Sequence, residues 1–60
     1  SRGEVMKYYY EMYRRCIRPM WIAQQLRITE VHLEKILSGK YRDRNTKKQL
    51  EQINLILGGN

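Results

Sequence analysis

The residues of this chain best equipped to do chemistry are its cations. Lys40, Arg42, Arg44, Lys47 and Lys48 crowd together with Tyr41 among them, and Arg27 stands alone further upstream. Ammonium and guanidinium groups at that density neutralise and hydrogen-bond anionic oxygens. The whole chain follows suit: Lys and Arg number 12 against 6 acids, a formal charge of +6 on only 60 residues, which makes a positive field attractive to polyanions. The charge is also arranged. Residues 1–18 carry five cations and two acids, residues 19–39 two and two, and residues 40–60 five and two. Two basic flanks bracket a neutral middle, the pattern expected where the flanks touch phosphate and the centre reads something else.

Other chemistry fails on residue type and number. With one histidine, His32, and one cysteine, Cys16, the chain can build neither an internal disulfide framework nor a four-ligand zinc site. There is no Ser/His/Asp or Cys/His signature, no phosphate-cradling glycine loop and no pair of carboxylates with an evident acid and base division. Sixty residues bury too small a core for a deep catalytic pocket, so neither an enzyme nor a cofactor is expected. Hydrophobic content of 42% and charged content of 30% place the chain among folded rather than disordered sequences. No apolar run approaches the roughly 18 residues of a membrane span, and the first residues lack a secretory apolar region. A lone cysteine and no such region imply a reducing, cytoplasmic setting.

The elements that must position these residues read as helices throughout. The only proline is Pro19 and the glycines lie at 3, 39, 58 and 59, so the interior lacks strand punctuation. Ser1 to Gly3 is expected to be a disordered start outside the fold. Residues from Glu4 to about Arg18 form an amphipathic first helix when set at about 100° per residue, with Val5, Tyr9, Met12 and Cys16 in one stripe and Tyr8 and Tyr13 flanking it. Pro19 suits the first turn of a second helix to about Leu26, burying Ile22, Ala23 and Leu26. Thr29 caps a third helix ending near Leu37, with Leu33, Ile36 and Leu37 inward and Gly39 closing it. Lys40 to Arg44 forms a basic loop. Asn45 or Thr46 then caps a fourth helix with the stripe Leu50, Ile53, Ile56 and Leu57, stopped by Gly58 and Gly59. Four helices, or five if the chain breaks once more, share one core in a single all-α domain.

Within this frame the segment from Pro19 to Lys40 resembles the helix-turn-helix of the phage repressor and Cro family. The likeness rests on Ile22-Ala23, Leu26, Ile28-Thr29, Leu33, Ile36 and the exit Ser38-Gly39-Lys40. Independently of that likeness, two helices crossing steeply over a short turn need a small residue where their backbones meet, and Ala23 supplies it. Arg27 stands where the family usually has glycine in a left-handed turn, which costs a side-chain-bearing residue on the order of 1 kcal/mol.

The resemblance implies a small repressor/Cro-type domain whose third helix enters a DNA major groove. Leu33, Ile36 and Leu37 point inward, so Val31, Lys35 and Ser38 face out. Lys35 then donates to guanine O6 and N7, and Val31 packs on a thymine methyl group. Thr29 and Glu30 stand at the helix start, where base edges are met; Glu30 either accepts from cytosine N4 or, like Glu34, complements the helix dipole. Lys40, Tyr41, Arg42 and Arg44 become phosphate contacts through the family's exit loop, with Arg27, Lys47 and Lys48 as further candidates. His32 reads as a boundary residue with a phosphate or backbone hydrogen bond. The implied partner is double-stranded DNA, bound by a homodimer or by a larger protein containing this domain, in a bacterial or phage-encoded regulator. A different class of function stays open: an adaptor or oligomerisation module using Trp21, Met20 and Tyr10 as an apolar patch. Trp21 either flanks the first helix or anchors such a partner.

Overall fold

Proline and threonine set the two helix starts on which everything else depends. In the computed structural model, which describes residues 2–58, α1 runs Arg2–Arg14, α2 Pro19–Leu26, α3 Glu30–Leu37 and α4 Arg44–Ile56, with no strand among the described residues. Pro19 occupies the first turn of α2, and Arg18 before it is extended at φ −83°, ψ 138°, as the ring of a following proline requires. Thr29 caps α3, its Oγ1 accepting from the backbone N–H of His32 at 3.0 Å. Both helices have the bounds that the sequence predicts.

The first helix departs from expectation at both ends. It begins at Arg2, so Arg2 and Gly3 belong to it, while Ser1 lies outside the described residues. It stops at Arg14 rather than Arg18 because Pro19 bars Arg18 from helical geometry and Cys16 turns left-handed at φ 56°. The chain there closes on itself: Ile17 N–H donates to Met12 O at 2.9 Å and Cys16 N–H to Tyr13 O at 3.1 Å, the paired bonds of a Schellman ending. Unwinding throws Cys16 out of the stripe into solvent and folds Ile17 onto the core in its place. Tyr13, expected as a flank, is 81% exposed.

The end of α2 repeats the device. Ile28 N–H donates to Ala23 O at 2.9 Å and Arg27 N–H to Gln24 O at 3.1 Å, with Arg27 left-handed at φ 58°. The left-handed turn expected at Arg27 is therefore present, and Ile28 after it packs on the core as Ile17 does. Gly39 at φ 77° follows α3, and Gly58 at φ 75° follows α4. The Glu4 carboxylate lies over Gly39 so closely that a Cβ there would stand 2.8 Å from Oε2. Gly59 lies outside the described residues.

The fourth helix starts two residues earlier than a cap at Asn45 would have it, and three earlier than one at Thr46. Asp43 is the cap: Oδ2 accepts from Thr46 N–H at 3.1 Å and Oδ1 from the Thr46 hydroxyl at 2.7 Å. Thr46 is buried, so its hydroxyl needs an acceptor inside the fold, and Asp43 is the residue that reaches it. Arg44 thereby leaves the basic loop and becomes the first helical residue. Both contacts hold the Asp43 carboxyl below the usual carboxylate range, the Thr46 hydroxyl most strongly.

Met12, Ile22, Ala23, Leu33, Ile36, Leu37, Ile53 and Leu57 form the core, with Val5, Tyr8, Tyr9, Leu26, Leu50 and Ile56 packed around it. Helix α3 is its hub and packs against each of the other three. The radius of gyration, 10.4 Å, is that of a folded chain of this length, which follows about 2.2·N^0.38 Å.

Candidate nucleic-acid interface

With Leu33, Ile36 and Leu37 buried, one stripe of α3 is committed to the core and the opposite stripe is fixed by geometry. Val31 and Lys35 lie on it; Val31 is 69% exposed although apolar, and Lys35 is exposed as well. The two edges of the stripe differ. Glu30 and Glu34 turn toward α1, where their charges add to burial in pushing the Tyr9 hydroxyl pKa up. His32 and Lys35 turn toward α4, across a groove of about 320 Å³ that Tyr41, Asn45 and Gln49 also line. Gln49 Oε1 is buried there without a hydrogen-bond partner.

The residues named from sequence thus separate by position. Val31 and Lys35 face outward together, Thr29 and Glu30 are exposed at the helix start, and Thr29 is engaged as the cap. Ser38 does not project from the outward stripe. It is half-buried, its hydroxyl donates to Lys35 O at 2.7 Å, and it accepts from Lys40 N–H at 3.3 Å. That exchange ties the end of α3 to the exit loop.

The cations stand in solvent. Arg27 lies in the three-residue turn before α3, Lys40 and Arg42 in the loop after it, and Arg44, Lys47 and Lys48 in the opening turns of α4; all six are exposed. Among the described residues the ion pairs join Glu11 to Arg14 and Arg15 on α1, and none involves these six. The Arg15 bond chiefly holds the Glu11 carboxyl below its usual range. Cations in the first turns of α4 run against the helix dipole, whose N-terminal end is already positive, and the Asp43 carboxylate that caps the helix offsets them in part. Arg44, Lys47 and Lys48 follow directly on the Asp43 cap, which itself lines the Lys35 groove. Tyr41 lines that groove; Lys47 and Lys48 are exposed but line no part of it.

The chain matches no known family, no curated protein and no solved structure. No group of three His, Cys, Asp or Glu among the described residues could hold a metal ion, and no described helix is long and apolar enough to cross a membrane.

Sequence reasoning missed the α4 side of the groove. Asn45 was legible only as a cap and Gln49 not at all, because both come to line the groove with Lys35 through the way α4 packs on α3. Asp43 had a local signal, an acceptor three residues before a threonine, which the equally suitable Asn45 and Thr46 obscured. Trp21 lines a depression with Cys16, Ile17, Arg18 and Ile56; Met20 and Tyr10 are exposed and are not part of that lining.

Proposed function

We propose that this chain is a sequence-specific double-stranded DNA-binding domain of the repressor/Cro helix-turn-helix type, with α3 in the major groove and no catalytic activity. One observation carries the reading: α3 exposes Val31 and Lys35 one turn apart, and the segments before and after it carry six exposed cations that no ion pair among the described residues occupies. Lys35 reads guanine O6 and N7 and Val31 a thymine methyl group, with Thr29 and Glu30 at the helix start. Arg27, Lys40, Tyr41, Arg42, Arg44, Lys47 and Lys48 supply phosphate contacts that fix register without carrying sequence. Ser38 acts by bracing the exit loop instead of touching a base. The turn itself supports the type assignment, since Arg27 holds the left-handed geometry that the family normally gives to glycine.

A module of this size reads few base pairs, so working specificity calls for a second copy or a larger protein around it, as in a bacterial or phage-encoded cytoplasmic regulator. Labelled duplexes selected from a random pool and titrated at two salt concentrations test the reading. Lys35→Ala relaxes base preference, whereas Arg42→Ala weakens every sequence alike and reduces the salt slope by about one. If Lys35→Ala leaves discrimination untouched, α3 is not the reading helix. If affinity barely changes with salt, the domain is not a DNA binder, and the adaptor reading takes its place.

A further inference from the structure

At the opposite end of α4 from the Lys35 groove the surface changes character. Asn45 and Ile56 are eleven residues apart on one helix, roughly 16 Å at about 1.5 Å per residue. Around Ile56 two depressions of about 400 and 580 Å³ adjoin, sharing Cys16, Ile17 and Arg18. Trp21 and Ile56 wall the first and Tyr13 the second. Trp21 is 46% and Tyr13 81% exposed, so large rings stand in water beside a half-buried isoleucine on each side. Scattered apolar residues are ordinary on a small domain, but a contiguous patch built from α1, α2 and α4 is not. None of it is needed for the DNA reading.

The charge on this surface decides its occupant. Arg18 is the one Lys, Arg, Asp or Glu lining either depression, and it lines both. It is exposed and in no ion pair among the described residues, and as the residue before α2 it makes no side-chain cap bond. A second copy of this chain meeting the patch about a two-fold axis would bring its own Arg18 against the first and add another +6. Two adjoining depressions that share one unpaired guanidinium instead suit successive apolar anchors of one helix carrying a carboxylate for Arg18.

We propose that the surface formed by Tyr13, Ile17, Arg18, Trp21 and Ile56 docks an acidic amphipathic helix of a partner protein, independently of DNA. The probe is a 16-residue peptide with leucines at helical spacing and glutamates elsewhere, set against a twin in which every glutamate is lysine. The single tryptophan of the chain reports binding directly through its emission, and calorimetry serves for variants lacking it. The acidic peptide should shift Trp21 emission to the blue and bind more tightly than its twin. Trp21→Ala should weaken it about tenfold, as loss of an aromatic anchor of at least 1.4 kcal/mol does. Arg18→Glu should reduce the acidic peptide's advantage over its twin by about fivefold or more, because a surface charge pair contributes up to about 1 kcal/mol and inversion replaces attraction by repulsion. Arg18→Glu keeps the fold, since that side chain holds no part of it, and unchanged circular dichroism checks this. Equal binding of the two peptides, no binding at millimolar concentration, or an unchanged preference in Arg18→Glu overturns the proposal. So does concentration-dependent dimerisation abolished by Trp21→Ala, which assigns the surface to a second copy. Duplex binding by the same Trp21→Ala protein reads the DNA function separately and should not change.

Discussion

Replacing Cys16 and Arg27 by glycine should stabilise this domain, although neither change adds a contact. Both residues sit in left-handed backbone at φ 56° and 58°, each closing a helix by the same pair of backbone bonds. A side chain in that region costs roughly 1 to 2 kcal/mol through its Cβ, and the greater freedom of glycine in the unfolded chain returns about 0.5 to 1 of that. Each substitution should therefore gain about 0.5 to 1 kcal/mol. The two endings share no hydrogen-bonded partner, so the double variant should gain about 1 to 2 kcal/mol by simple addition. In a domain of 60 residues each kcal/mol moves Tm by about 4 to 8 °C, well within reach of thermal and urea denaturation followed by circular dichroism. Arg27→Ala is the decisive control. It removes the guanidinium but keeps the Cβ, so it should weaken duplex binding without raising Tm, whereas Arg27→Gly does both. A loss of stability in Cys16→Gly, or an equal gain in Arg27→Ala, refutes the strain argument.

Other consequences are read in similar assays. Leu33 is wholly buried in the hub helix, so Leu33→Ala should cost about 2 to 5 kcal/mol, most of what so small a core supplies; Val31→Ala, two positions earlier, should cost under about 0.5 kcal/mol by urea titration. Gly39→Ala should lower Tm because φ 77° strains any residue with a Cβ, while the Glu4 carboxylate 2.8 Å from that Cβ is a side-chain end that can swing aside; an unchanged Tm would show that this backbone relaxes freely. The Asp43 carboxyl has its pKa lowered in the fold, so the folded state binds fewer protons than the unfolded one in acid. Its contribution is complete above the ordinary carboxylate range and is lost as pH falls through the lower folded value. Urea midpoints across the acid range should therefore fall less steeply for Asp43→Asn, which keeps a capping oxygen, than for the parent chain; Glu11, lowered in the same sense by Arg15, adds to the slope in both. Identical slopes would remove Asp43 from the account.

The two central helices were legible because their boundaries are written in local chemistry. Pro19 has one comfortable place in a helix, Thr29 offers an acceptor to its own first turn, and Gly39 accepts a positive φ. The end of α1 was not legible for the converse reason. Cys16 has none of the marks of a left-handed residue, and what holds it there is the turn of Ile17 onto the core and the demand of Pro19 on Arg18. Three candidates within four residues, Asp43, Asn45 and Thr46, competed to cap α4, and the burial of Thr46 decided between them, which is a property of packing. The outward stripe of α3 followed from periodicity. Its two edges did not: that Glu30 and Glu34 look toward Tyr9 while Lys35 looks toward Asn45 and Gln49 depends on where α1 and α4 lie. Trp21 shows the same limit, since Ile56 beside it is far away along the chain.

Because α3 is clamped by all three neighbours through Leu33, Ile36 and Leu37, its solvent side is presented on a rigid mount. Positions 31, 34 and 35 can then be randomised together with little consequence for whether the polypeptide folds. A library built there would sample recognition while holding architecture constant, and the same separation lets natural substitution retune what the domain recognises one side chain at a time.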